Sequence, residues 1–83
     1  MPNRIYKLKV SALCTARDYD DVYDEINIDE IYDDYEIARH EYESWKYDER
    51  VKDNHGYVSL VEMGADEKTH KFMVTRELGD KQW

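Results

Sequence analysis

The chain has 83 residues, a formal net charge of −8 and a single cysteine. A chain this short makes one domain around one core, and one thiol excludes an internal disulfide framework. The negative charge argues against direct contact with nucleic acid or anionic membranes and for basic partners.

Leu, Ile, Val and Phe together supply 16 residues, close to the share at which chains stay disordered. Eight Tyr and two Trp argue for a folded domain, because aromatics bury large areas while keeping a polar tip. The start of the chain shows no apolar signal region. No segment approaches the roughly 20 apolar residues of a membrane span. The expected location is cytoplasmic, or the host cytoplasm if the chain is phage-encoded.

From Arg4 to Thr15 the residues largely alternate, with Ile5 and Leu13 breaking the pattern at its ends. Tyr6, Leu8, Val10, Ala12 and Cys14 share one face, and Lys7, Lys9, Ser11 and Thr15 the other. That period of two predicts a half-buried strand with a basic outer face, able to offset the acids that follow. Asp18 to Glu49 then holds 14 acids against Arg39 and Lys46 alone.

Within this segment Asp18 reads as the cap of a short helix carrying Tyr19, Val22, Tyr23 and Ile26. Asn27 and Glu30 resemble a capping box, predicting a restart and a long helix from Ile28 to Lys52. Ile28, Ile31, Tyr32, Tyr35, Ala38, Tyr42 and Trp45 form its apolar stripe, and the acids occupy most of the remaining circumference. Ile37 and Tyr47 fall inside the acidic face. Tyr and Trp also favour strands, so Ala38–Tyr47 has a competing strand reading; the spacing 35, 38, 42, 45 favours the helix.

Asp53 to Gly56 is a stop and turn. Tyr57–Met63 reads as a strand with Val58 and Leu60 on one face and Tyr57, Val61 and Met63 on the other. A polar loop from Gly64 to Thr69 leads into a last strand, His70–Leu78, with Phe72, Val74 and Leu78 alternating against Met73, Thr75 and Glu77. The predicted class is α+β: a small antiparallel sheet of about three strands, in the order β-α-α-β-β, with a long acidic amphipathic helix on one face.

Most charge runs are solvated helix faces. This one lacks interleaved bases, and like charges at i, i+4, such as Asp29–Asp33 and Glu30–Asp34, cost roughly a few tenths of a kcal/mol per pair. A positive partner would relieve that repulsion. As a helix rising about 1.5 Å per residue, the segment would carry roughly one charge per 4 Å, near the spacing of about 3.4 Å along one phosphate strand.

Other chemistries find less in the sequence. The calcium-loop pattern started at Asp18 fails at Val22 and Tyr23. Cys14, His40, His55 and His70 have no zinc-ligand spacing. No phosphate loop, nucleophile elbow or Cys–His arrangement appears, so no enzyme activity, cofactor or metal is expected.

In size, acid density from Asp18 to Glu49 and interleaved Tyr, the chain resembles the small acidic proteins by which bacteriophages and mobile elements block host DNA-binding proteins. These include nucleic-acid mimics acting on restriction enzymes, CRISPR effectors, repair glycosylases, histone-like proteins or RNA polymerase. The resemblance implies an inhibitor of a basic nucleic-acid-binding protein and no particular fold. The expected contacts are Asp20, Asp21, Asp24, Glu25, Asp29, Glu30, Asp33, Asp34, Glu36, Glu41 and Asp48, with Ile37 and Tyr47 as apolar anchors. The alternative is a general interaction module, antitoxin- or adaptor-like, that binds through the sheet edge or an apolar patch. A homodimer is compatible with either.

Overall fold

The computed structural model describes residues 4–15 and 22–83. Its first strand, β1 (Arg4–Thr15), forms as its alternation predicts. Leu8, Val10, Ala12 and Cys14 are buried, and Lys9, Ser11 and Leu13 are exposed.

The next element overturns the helical reading. Val22–Tyr32 is a second strand, β2, antiparallel to β1. The spacing of Ile26 and Ile28, read from sequence as a break between two helices, is the two-residue period of a strand face. These two pack toward the core, whereas Ile31 points to the opposite face and is 60% exposed. The proposed cap at Asp18 and the first positions of that helix, through Asp21, lie outside the described residues; the rest of it, Val22 to Ile26, is strand and not helix. The Asn27–Glu30 capping box lies inside β2 and caps nothing. β-branched residues suit this pleat, and the basic outer face of β1 meets it: Lys7 Nζ lies 3.6 Å from Asp29.

Helix begins only at α1 (Tyr35–Lys46). Asp34 is its N-cap, accepting from the amides of Glu36 at 2.9 Å and Ile37 at 3.2 Å. Here the sequence stripe holds: Ala38 and Tyr42 are buried, with Tyr35 and Trp45 half-buried. The strand alternative for Ala38–Tyr47 is excluded. After Tyr47 the chain restarts at a second N-cap, Asp48, into the one-turn α2 (Glu49–Asp53), whose Val51 is fully buried. The expected 25-residue helix is therefore two short ones.

β3 (Tyr57–Ala65) buries Val58 and Leu60 as predicted and pairs with β1; β4 (Phe72–Gln82) pairs with β3. The last strand thus starts and ends later than the sequence suggested. Two register shifts in β4 change its phase. Val74 sits opposite Met63 and is 60% exposed, while Leu78 packs against the core. These two do not share a face as the simple alternation implied.

The sheet order is β2-β1-β3-β4, all antiparallel neighbours, with α1 and α2 crossing from one edge strand to a central one. The fold is mainly β, a four-stranded sheet with two short helices over one face; the α+β reading with a long helix is wrong. The hairpins overhang at opposite ends, so the molecule measures 53 × 23 × 18 Å.

Two close approaches hold the helices down. A Cβ at Gly79 would lie 2.5 Å from Tyr42 Cζ, so this glycine lets the Tyr42 ring approach the sheet backbone at the position paired with Leu60. Trp83 clasps the other end: its indole donates to the Lys46 carbonyl at 2.9 Å, and its ring is flanked by Lys52 Nζ at 5.1 Å and Lys81 Nζ at 4.4 Å.

Gly79→Ala is expected to cost about 1–3 kcal/mol by displacing the Tyr42 ring, and much less in a Tyr42→Ala background. Denaturant unfolding of the two single variants and the double variant measures that coupling; additive losses would show the contact to be slack.

Candidate functional site

The acids expected on one helix face occupy three different settings. Asp20 and Asp21 lie outside the described residues. Asp24, Glu25, Asp29 and Glu30 sit on β2, an edge strand, and alternate between its faces. Their register partners place Asp24 and Glu30 on the helix-covered face, opposite Cys14 and Leu8, and Glu25 and Asp29 on the open face, opposite Leu13 and Lys9. Asp33 is exposed in the turn between β2 and α1. The repulsive i, i+4 pairs predicted for Asp29–Asp33 and Glu30–Asp34 do not form, because those residues are not helical.

Asp34 and Asp48 have structural work as N-caps. Asp48 also holds Arg50 at 3.4 Å, and Arg50 reaches Asp24 at 3.8 Å, which ties α2 to β2.

On α1, at about 100° per residue, Glu41 and Ile37 fall on one flank of the buried Ala38–Tyr42 stripe, and Glu36 and Glu43 on the other. The first flank faces β2. Burial above all, then the charges of Glu41 and of Glu30, push the Tyr32 phenol above its ordinary pKa, so both carboxylates lie on the same side of the molecule as that phenol. The second flank faces β4, where Tyr35, Arg39, Tyr42 and Glu43 border a shallow groove with Leu60 and Leu78. There Arg39 donates to the Tyr35 hydroxyl at 2.9 Å. Ile37 and Tyr47, expected as anchors, are exposed at 53% and 61%. They lie apart: Tyr47 follows the end of α1, with Lys46 Nζ 5.4 Å from its ring centroid.

The structure therefore places Glu30, Glu41 and Tyr32 on one side, with Asp24, Glu25, Asp29 and Asp33 along the same edge. Glu36, Glu43 and Tyr47 belong to other sides. Among the described residues, Glu25, Glu30, Asp33, Glu36, Glu41 and Glu43 make no ion pair, whereas Asp24, Asp29 and Asp48 do.

Sequence reasoning missed Glu62, a carboxylate buried on the helix-covered face. It accepts from Thr75 Oγ1 at 3.1 Å and from Arg76 at 3.2 Å. Its even spacing from Val58 and Leu60 was the available signal. Glu62 lines a cleft of about 570 Å³ with Arg4, Asp66, Glu67, His70 and the β3–β4 hairpin. The Asp66 carboxylate in that cleft is occupied by the amides of Lys68 and Thr69. Among the described residues no three His, Cys, Asp or Glu side chains converge to hold a metal ion, and no helix is long and apolar enough to cross a membrane.

Compared with protein families, curated proteins and solved structures, the chain matches none of them.

Tyr32 and Tyr42 both titrate above the ordinary tyrosine value of 10.0; in Tyr42 burial leads, followed by Glu43 and Asp80. A phenol whose folded pKa is raised holds its proton more tightly when folded. Its contribution is complete below pH 10 and is lost as pH rises through the raised values. Stability against denaturant should therefore fall above pH 10, and less steeply in Tyr32→Phe. Equal slopes in the two proteins would show that Tyr32 is not so placed.

Proposed function

We propose that this protein is an acidic inhibitor that occupies the basic nucleic-acid site of a DNA- or RNA-binding protein. The observation that carries the reading is a set of carboxylates on the β2 side of the molecule that make no ion pair among the described residues: the exposed Glu25, Glu30 and Asp33 and the half-buried Glu41. Repulsion between such groups weakens the isolated fold and is relieved when a cationic surface docks. Asp24 and Asp29 extend the surface but are partly satisfied by Arg50 and Lys7. Ile37, on the same flank of α1, supplies an exposed apolar contact beside them. Asp34 and Asp48 leave the contact set, since their carboxylates are turned to helix caps.

Long-range attraction makes such association fast and salt-dependent. Proteins captured from a cell lysate on the immobilised chain are expected to bind nucleic acid, and added duplex DNA or RNA should displace them. Reversing Glu30 and Glu41 to Lys should weaken capture at least tenfold with unfolding unchanged. Capture that ignores salt, competitor nucleic acid and both reversals would refute the proposal. Reversing Asp33 and Asp34 together would be a poor test, because loss of the Asp34 cap alone costs about 1 kcal/mol.

A further inference from the structure

The two edges of the sheet differ. β4 is interrupted by two register shifts and carries both signs of charge, with Arg76 and Lys81 beside Glu77 and Asp80. Bulges and mixed charge are devices that keep an edge from pairing. β2 has one such shift, confined to its start, where Cys14 pairs with Asp24 and Thr15 with Val22. From Asp24 to Tyr32 it pairs with β1 without a shift, and among the described residues it has a strand neighbour on one side only. Its outward backbone groups form a row of donors and acceptors, spaced about 6.6–6.8 Å apart along the strand; at one end the Glu25 amide already donates to Asp24 Oδ1 at 2.9 Å, a local contact that an incoming strand would have to displace.

The charges on that edge are of one sign and patterned. Asp24-Glu25 and Asp29-Glu30 are doublets placed symmetrically about Asn27, with Ile26 and Ile28 between them. No base occurs from Val22 to Tyr32. Because side chains alternate, each doublet sends one carboxylate to each face. Above the helix-covered side stand Glu41 and the exposed Ile37.

We propose that β2 takes a fifth strand: an extended basic segment of the partner, with two basic doublets separated by three residues, the outer two apolar. Each basic residue would then lie across from a carboxylate on its own face, an arrangement that favours the pairing, and the main-chain ladder would supply the remaining affinity. The symmetry about Asn27 admits the segment in either direction. A second copy of this chain is a poor occupant, since its own β2 would set acid against acid. This inference rests on the proposed binding of a basic partner and specifies how that partner docks.

The probe is the synthetic peptide Lys-Lys-Val-Thr-Val-Lys-Lys, compared at low salt with Lys-Val-Lys-Thr-Lys-Val-Lys, which has the same composition and charge. Amide hydrogen exchange of the full chain is followed residue by residue. The first peptide is expected to slow every second amide between Asp24 and Tyr32 by tenfold or more, to leave β4 unchanged, and to bind several-fold tighter than the second. Strand addition leaves that alternation, and charge attraction alone does not. If both peptides bind equally and no β2 amide alternation appears, strand addition is overturned while the acidic-surface reading stands. If neither peptide binds at low salt, both are overturned. Alternating protection that appears without peptide, growing with protein concentration, would make a second copy the occupant and overturn the basic segment.

Discussion

The structure depends on the pairing of β2 with β1. β2 carries four carboxylates and no base, which on its own would leave it extended in solvent. Alongside β1 its even-numbered residues Ile26, Ile28 and Tyr32 join Val10, Ala12 and Tyr6 under the helices, and Asp29 comes over the basic outer face of β1 at Lys7. The basic head and the acidic segment of the sequence are thus adjacent strands. That pairing also decides the remaining topology, because β1 can accept only one more neighbour, β3, and the helices must cross over it.

A small apolar inventory is enough for this arrangement because only one sheet face is covered. The core is Leu8, Val10, Ala12, Cys14, Ile26, Ala38, Tyr42, Val51, Val58 and Leu60, and aromatics close its rim. Tyr42 illustrates how one such residue takes the place of several aliphatics. Its ring fills the space above Gly79 that a Cβ would have taken, and it bridges helix and sheet at once. Trp83 does the same at the helix C-terminus, satisfying an open carbonyl of α1 with its indole N–H.

What could be read from the sequence follows from these facts. The alternation of β1 and of Val58–Leu60, and the 35, 38, 42, 45 stripe, were legible because each element has one buried face. β2 was not, for a specific reason. Ile28 and Tyr32 are four apart, a spacing that suits one helix face and also one strand face, and Ile31 beside them completed a helical pattern by coincidence. The two-residue step from Ile26 to Ile28 was the discriminating signal. Asp34, directly before the true stripe, was the available mark of where the helix starts. The phase changes in β4 left no mark in its composition, since a bulge is set by the pairing and not by the strand alone. Of the expected binding residues, the exposure of Ile37 and Tyr47 was legible from their positions off the stripe. The division of the acids between a strand edge, two caps and two helix flanks was not.

That division changes what charge mimicry can mean for this chain. A long helix would have presented carboxylates at nearly the spacing of phosphates along one strand. β2 rises about 3.4 Å per residue, so its four carboxylates from Asp24 to Glu30 spread over roughly 20 Å and are sparser than phosphates. Uniform charge density is therefore not what the surface imitates. Its distinctive property is pattern: doublets at a fixed separation, split between two faces, on a regular strand whose backbone is open to pairing. A basic groove shaped for a duplex meets such an edge at a few points. A flexible basic segment can follow it residue by residue, with side-chain charge selecting the register and main-chain hydrogen bonds holding it. Sign and backbone geometry thus favour the same kind of occupant, and it is their coincidence on β2, absent from β4, that singles out this edge.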